Sequence, residues 1–99
     1  MKLQMHSVHF DADNKLTDFI QKRADKLETF FDGIIDGEVI MKVESDDNRS
    51  NKKVEMKVNI PGNQLFAEKR AGSFEAATDD AVEALRRQLK KFKEKKATY

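Results

Sequence analysis

Hydrophobic residues recur along this chain with two periods, two residues in some segments and three to four in others. Alternation predicts strands with one buried face at residues 2–7 and 38–45. It is most regular at residues 53–60, where the apolar residues share one side, namely Val54, Met56, Val58 and Ile60. After a tight turn at residues 61–63, we expect a shorter fourth strand at residues 64–71.

Two further segments follow the period of an α-helix. The first covers residues 14–31, where apolar residues are spaced by three and four: Leu16, Phe19, Ile20, Ala24, Leu27, Phe30 and Phe31. Asp11 and Asp13 precede it as candidate caps, and Gly33 and Gly37 bracket its end. The second helix is expected over residues 74–96, with Ser73 as its N-cap. Its apolar stripe consists of Phe74, Ala77, Ala81, Leu85, Leu89 and Phe92.

The resulting order is strand, helix, three strands, helix, which predicts an α+β fold of the β-α-β-β-β-α type. Consecutive strands joined by short loops form an antiparallel meander, and both amphipathic helices need an apolar surface. We therefore expect a four-stranded sheet with two helices packed on one face. A chain of 99 residues is expected to form a single domain, residues 1–99, with residues 94–99 frayed.

Composition narrows the possible functions. The chain has no cysteine, which excludes disulfides, zinc–thiolate sites and thiol nucleophiles. Apolar residues make up 38% of the chain and charged residues 37%, which is enough for one core layer but not for a deep cofactor cavity as well. No apolar run has the length of a signal peptide or a membrane span, so we expect a cytoplasmic protein without a membrane partner.

Metal-binding patterns are incomplete in this sequence. His6 and His9 are three residues apart, but a zinc site needs at least a third ligand. Asp46, Asn48 and Ser50 follow the first spacings of a calcium loop. The sixth and twelfth positions of that loop would hold asparagine and lysine instead of glycine and glutamate. We therefore expect no metal ion and no other cofactor.

Catalytic patterns are equally weak. No glycine-rich loop joins a strand to a helix, so the phosphate cradle of nucleotide enzymes is not encoded. Asp79, Asp80 and Glu83 lie in the early turns of the second helix, where the positive end of the helix dipole explains them. No nucleophile stands beside a candidate base. The sequence thus predicts that the protein is not an enzyme.

Charge is divided unevenly along the chain. Residues 32–47 hold six acids and one base, whereas residues 84–99 hold seven bases and one acid. A basic end of this kind favours a polyanion such as nucleic acid, although solvated helix faces and helix dipoles also attract bases. The distribution of bases around each helix decides between these interpretations.

Each predicted helix gathers bases on one side. At about 100° per residue, Lys15, Lys22 and Lys26 share one side of the first helix, with Arg23 between them and the core. On the second helix, three bases lie within an arc of about 60° opposite or beside the apolar stripe: Arg86, Lys90 and Lys93. Arg87 and Lys91 extend the positive charge around the other flank of that helix. Two such ridges would suit the phosphates of structured RNA. With no tryptophan and one terminal tyrosine, stacking on bases is not expected.

Four segments resemble one known family along nearly the whole chain. They read L-x-D-F-I-x-K-R-A-x-K-L-E-x-F-F-D at residues 16–32, V-I-M-K-V-E at 39–44, P-G-N-Q-L-F-A at 61–67 and A-L-R-R-Q-L-K-K-F-K-E-K at 84–95. The first and last are the more specific. The chain is similar to the ribosome hibernation promoting factor family in its short form, also called the ribosome-associated inhibitor or sigma-54 modulation family.

The resemblance implies a fold similar to a double-stranded-RNA-binding domain with an extra leading strand. It also implies binding to the small ribosomal subunit, in the channel used by messenger and transfer RNA. The partners there would be rRNA phosphates and neighbouring ribosomal proteins. Such proteins silence idle ribosomes in stationary phase and under stress. Because the chain carries no second, ribosome-pairing domain, we expect it to be a monomer when free.

The resemblance also assigns roles to individual bases. Family positions match Arg23 and Lys26 on the first helix, Arg70 at the end of the last strand, and a basic run on the second helix. Phe74–Glu75 and Ala84 depart from the family pattern, which often has tyrosine and lysine there. Together with the bases that the helix sides add, the expected rRNA-binding set is Lys22, Arg23, Lys26, Arg70, Arg86, Arg87, Lys90, Lys91 and Lys93.

Two alternative functions stay open from the sequence. One is a protein-interaction module that modulates transcription, in line with the sigma-54 name. The other is a free double-stranded-RNA-binding domain. Only binding to the small subunit predicts a saturable one-to-one site on ribosomes.

Overall fold

The computed structural model describes residues 1–44 and 50–97. Its elements follow the predicted β-α-β-β-β-α order, which confirms the fold class. They are β1 (Lys2–Val8), α1 (Asn14–Phe30), β2 (Asp36–Val43), β3 (Lys52–Ile60), β4 (Asn63–Ala71) and α2 (Phe74–Ala97). Helix α2 continues into the segment that we expected to fray. Asp46 and Asn48, the first ligands of the rejected calcium loop, lie outside the described residues.

The sheet has the strand order β1-β2-β3-β4. Strands β2, β3 and β4 form the predicted antiparallel meander, and β1 joins the free edge of β2 in parallel. Strands β1, β2 and β4 consequently run in one direction. Each helix follows one of these strands and returns across the sheet, so α1 and α2 run side by side in the same direction. This parallel arrangement decides which helix faces meet.

Side-chain caps fix where both helices begin. The Asp13 carboxylate accepts a hydrogen bond of 2.9 Å from the backbone N–H of Leu16, so Asp13, and not Asp11, is the N-cap of α1. The Ser73 hydroxyl accepts one of 3.1 Å from the backbone N–H of Ala76, as predicted. Both caps satisfy N–H groups that have no partner within the helix.

A single apolar core lies between the sheet and the two helices, as predicted. One face of the sheet contributes fully buried side chains such as Val39, Val54 and Met56. The helices contribute their predicted stripes: Ile20, Ala24 and Leu27 from α1, and Ala77, Ala81, Leu85 and Leu89 from α2. Thr78 joins this core although it is polar, and its hydroxyl has no hydrogen-bond partner among the described residues. Neither described helix covers the other face of the sheet, which is mostly polar.

Gly37 has a different role from the one that the sequence suggested. We expected it to mark the end of the first helix, with the strand beginning at residue 38. Instead, β2 begins at Asp36, and Gly37 lies between two neighbouring strands. A Cβ atom at this position would lie 2.8 Å from the backbone oxygen of Lys57 and 2.9 Å from Leu3 Cδ1. Gly37 is therefore required by the close approach of the strands.

Candidate nucleic-acid interface

The two helices contact each other along their lengths, and these contacts orient the rest of their surfaces. Arg23 Nε on α1 lies 2.8 Å from Asp79 Oδ1 on α2. Further along, Lys93 Nζ donates a hydrogen bond of 3.1 Å to the backbone oxygen of Phe30. The flank of α1 that holds Arg23 and Phe30 thus faces the flank of α2 that holds Asp79 and Lys93.

The bases of α1 lie on its α2-facing and outer side. Lys22 and Lys26 are exposed, and at about 100° per residue they lie beside Arg23 on the surface turned away from the sheet. Neither makes an ion pair within the described part of the chain. Arg23 is half-buried, and its guanidinium lies 4.6 Å from the centroid of the Phe19 ring. The predicted position of Arg23, between the lysines and the core, is what the structure shows.

The acids of α1 lie on its opposite flank, at the β1 edge. The amino terminus of Met1 donates hydrogen bonds to Glu28 and to Asp25, the latter at 2.9 Å. These two acceptors raise the pKa of the amino group. Burial raises the pKa of the Asp25 carboxyl, but hydrogen bonds from the amino terminus and Gln21 outweigh it and hold the pKa below its usual value. Acidic and basic side chains of α1 are therefore separated across the helix.

On α2, the bases in the predicted arc face α1 and solvent. Lys90 is exposed and makes no ion pair among the described residues, whereas Arg86 is paired. Its Nη2 and Nε atoms lie 2.7 Å and 3.0 Å from the two Glu83 carboxylate oxygens. Hydrogen bonding to Arg86 holds the pKa of Glu83 below its usual value, and Arg87 Nε lies 3.6 Å from the same carboxylate. Glu83 thus holds two arginines beside each other.

These side chains lie on one side of the domain, in a region that we call the two-helix surface. Its members come from the outer and facing sides of α1 and α2: Lys22, Arg23, Lys26, Arg86, Arg87, Lys90 and Lys93. The helix contacts show that the two predicted ridges share one side of the domain. The surface is positive at the second half of α2, whereas the first half carries only acids among its charged residues.

Two members of the predicted set lie elsewhere. Arg70 is on the helix-free face of the sheet, because β4 turns Leu65 and Ala67 toward the core and alternate residues away from it. There Arg70 Nε lies 2.6 Å from Glu44 Oε1, and this hydrogen bond lowers the pKa of Glu44. Lys91 lies on the flank of α2 that faces away from α1, beside the edge of β4. Whether either contacts RNA stays a prediction.

Other candidate groups are accounted for by local contacts. His6 Nε2 lies 3.2 Å from Glu38 Oε2, whereas His9 Nδ1 lies 3.5 Å from the backbone oxygen of Val43. Within residues 1–44 and 50–97, no three histidine or acidic side chains converge as metal ligands would. Neither described helix is both long and apolar enough to cross a membrane.

Sequence reasoning missed the acids that pair with this surface. Glu83 precedes Arg86 and Arg87 by three and four residues, a spacing at which opposite charges meet on a helix, so this contact was accessible from the sequence. The pair of Arg23 and Asp79 joins two helices 56 positions apart. Only the relative placement of the helices reveals it.

Comparison with known proteins places this chain in a family. Residues 3–97 match the family model described as "Sigma 54 modulation protein / S30EA ribosomal protein". A ribosome hibernation promoting factor from Pseudomonas putida is 35% identical over 95 residues, covering 96% of this chain and 89% of that protein. A ribosome hibernation promotion factor from Deinococcus radiodurans is 29% identical over 91 residues, covering 91% of this chain and 48% of that protein.

Solved structures support the same fold. The N-terminal domain of Protein Y from Thermus thermophilus superposes with a TM-score of 0.82 at 22% identity, covering 93% of this chain and 99% of that chain. A ribosomal subunit interface protein from Coxiella burnetii also gives 0.82, at 24% identity, covering 94% of this chain and 98% of that chain. Because the family model matches nearly the whole length of this chain, the chain belongs to the sigma 54 modulation and S30EA ribosomal protein family, which also includes relatives named for ribosome hibernation.

Proposed function

We propose that this protein binds the small ribosomal subunit through the two-helix surface, in the channel of messenger and transfer RNA, and keeps idle ribosomes inactive. One observation carries the proposal. Parallel packing of α1 and α2 brings bases of both helices to one side, while Asp25 and Glu28 are held on the opposite flank of α1. The names of the relatives, which include hibernation promoting factors and a ribosomal subunit interface protein, support the same partner.

The two-helix surface suits phosphate groups better than bases. Lys22, Lys26 and Lys90 present exposed ammonium groups, which bind phosphates as point charges. Aromatic rings that could stack on bases are already occupied or lie elsewhere. Phe10 stacks on Phe74 with ring centroids 4.6 Å apart, and Phe31, Phe19 and Phe30 contact Phe92, Arg23 and Lys93. Recognition would therefore follow the shape and phosphate positions of folded rRNA.

Inhibition would follow from occupancy alone. A domain seated in the channel excludes messenger and transfer RNA, so no bond needs to be made or broken, and silencing is reversible when the protein leaves. The protein would act in the cytoplasm, as a monomer and not as an enzyme. The same mechanism explains why affinity would respond to ionic conditions, since phosphate contacts release counterions.

Sedimentation with purified ribosomal subunits tests this proposal. We expect saturable one-to-one binding to the small subunit that weakens steeply with salt. If about five phosphates are contacted, the slope of log affinity against log salt should be about −3 to −5. Unsaturable binding to any duplex RNA would instead support a free double-stranded-RNA-binding domain. Binding that does not change with salt would contradict the phosphate-binding surface.

Glu83→Gln provides a second prediction. The substitution removes the carboxylate that neutralises Arg86 and competes with phosphate for it. Since exposed ion pairs are weak, we expect small-subunit affinity to rise by about two- to fivefold, measured as the dissociation constant at fixed salt. Glu75→Gln makes the same charge change in the first turn of α2, more than two turns from Arg86, and should have less effect. Weaker binding by Glu83→Gln would show that orienting the arginines matters more than freeing them.

A further inference from the structure

A groove follows the free edge of β4, on the flank of α2 that faces away from α1. Its volume is about 580 Å³. Leu65 and Phe92 supply apolar surface, and the exposed charged residues along it are Lys91, Glu94 and Lys95. The groove is thus apolar and carries a net positive charge. It is separate from the two-helix surface because it lies on the other flank of α2.

The backbone along this groove is able to accept another strand. Within the described chain, β4 pairs with β3 alone, so the other edge of β4 has no strand partner. The side-chain amide of Gln88 donates a hydrogen bond of 2.8 Å to the backbone oxygen of Phe66. This oxygen therefore points away from β3, toward the free edge of the sheet. In a strand, alternate residues direct their backbone N–H and C=O groups to the same side, so every second residue of β4 does likewise. A fifth strand would replace this side-chain amide with one of its own backbone N–H groups.

The side chains on both faces of this edge add chemical selectivity. Phe66 is 40% exposed and lies on the helix-free face, whereas Leu65 turns toward the groove. The side chains of an added strand would alternate between these two environments. One set would contact Phe66, and the other would lie in the groove, where carboxylates come within reach of Lys91 and Lys95. Apolar and acidic residues in alternation fit both.

We propose that the free edge of β4 and its groove bind an extended acidic segment of another protein as a fifth strand. Strand addition obtains affinity from the backbone and selectivity from alternate side chains. RNA fits this place less well, because it has no row of amides for the β4 carbonyls. Antiparallel pairing of β4 with a second copy would bring two lysine-bearing α2 flanks together, which disfavours a homodimer.

Titration of the ¹⁵N-labelled protein with a synthetic peptide tests this proposal. The probe is an eight-residue peptide of alternating valine and glutamate, acetylated and amidated at its ends. We expect saturable binding with a dissociation constant of about 0.1–1 mM and NMR shifts centred on Leu65, Phe66 and Ala67. In an added strand, only one alternate set of amides faces β4. N-methylation of the valines or of the glutamates should therefore weaken binding at least about tenfold in one case and little in the other.

Two variants locate the charge contribution. Lys91→Glu should weaken peptide binding at least about fivefold, whereas Lys90→Glu, one residue away on the α1-facing side, should change it less than about twofold. No saturation, shifts on the two-helix surface, or equal responses of the two methylated peptides would overturn the proposal. Concentration-dependent dimerisation at the same edge would overturn it in favour of a second copy. The titration contains no ribosome, so its result is independent of the proposed subunit binding.

Discussion

Charge reversal on either helix is expected to abolish most binding to the small subunit. Lys22→Glu/Lys26→Glu removes the exposed bases of α1, and Arg86→Glu/Lys90→Glu removes bases of α2 and places a new acid beside Glu83. Each double variant loses phosphate contacts and adds repulsion. We expect affinity to fall at least about thirtyfold in each case, corresponding to about 2 kcal/mol. Both should remain folded, because none of the four side chains is buried.

Lys57→Glu is a single-charge control for these variants, placed outside the two-helix surface. It reverses one charge on the helix-free face of the sheet, where Lys57 Nζ lies 4.0 Å from Glu38. Because screening limits its influence across the domain, we expect affinity to fall less than about threefold. Circular dichroism confirms that each variant is folded. A folded Arg86→Glu/Lys90→Glu variant that binds normally would show that the bases of α2 serve only the helix dipole and solubility.

Arg70→Glu tests whether rRNA also contacts a residue that the family pattern includes but that lies outside the two-helix surface. The family pattern includes Arg70, but the structure places it on the other face, paired with Glu44 and Glu68. If the two-helix surface alone contacts rRNA, this variant should behave like Lys57→Glu. A loss as large as that of the helix variants would show that rRNA contacts both faces of the domain.

Local periodicity was sufficient to predict the elements and their buried faces. The stripes of both helices and the alternation of β3 each depend on neighbouring residues, and the structure confirms them. The alternation of side chains along β4 also implies that Arg70 faces away from Leu65 and Ala67. The predicted rRNA-binding set did not take this alternation into account. Local pattern thus defines which side of an element is buried.

Contacts between distant elements were beyond the reach of the sequence. The place of β1 beside β2 makes the two helices parallel, and this in turn pairs Arg23 with Asp79. Gly37 was misassigned for a similar reason. Its close contacts, with Lys57 and Leu3, come from the strands on either side, so only the assembled sheet shows why no Cβ fits there.

Leu85→Ala is expected to cause a large loss of stability. The side chain is fully buried, in the middle of the α2 stripe and directly before Arg86. Truncation removes apolar contacts and leaves a cavity that the surrounding sheet cannot fully close, at a cost of about 3–5 kcal/mol. Total stabilities of small domains are about 5–15 kcal/mol, so a substantial part of the folding free energy would be lost. Chemical denaturation of the variant and the parent protein measures the difference.

Leu85→Met tests whether the stability loss of Leu85→Ala comes from the lost side-chain volume or would follow from any substitution at this position. It keeps most of the buried volume, so we expect its free energy of unfolding to fall by less than about 1.5 kcal/mol.

Leu85→Ala should keep its binding to the small subunit. At a temperature where most of the Leu85→Ala protein is still folded, its affinity should be nearly parental, since the charges of the two-helix surface are unchanged. The charge-reversal variants should show the opposite combination, normal stability with weak binding. A stability loss below about 1 kcal/mol for Leu85→Ala would mean that α2 is held to the sheet by other contacts.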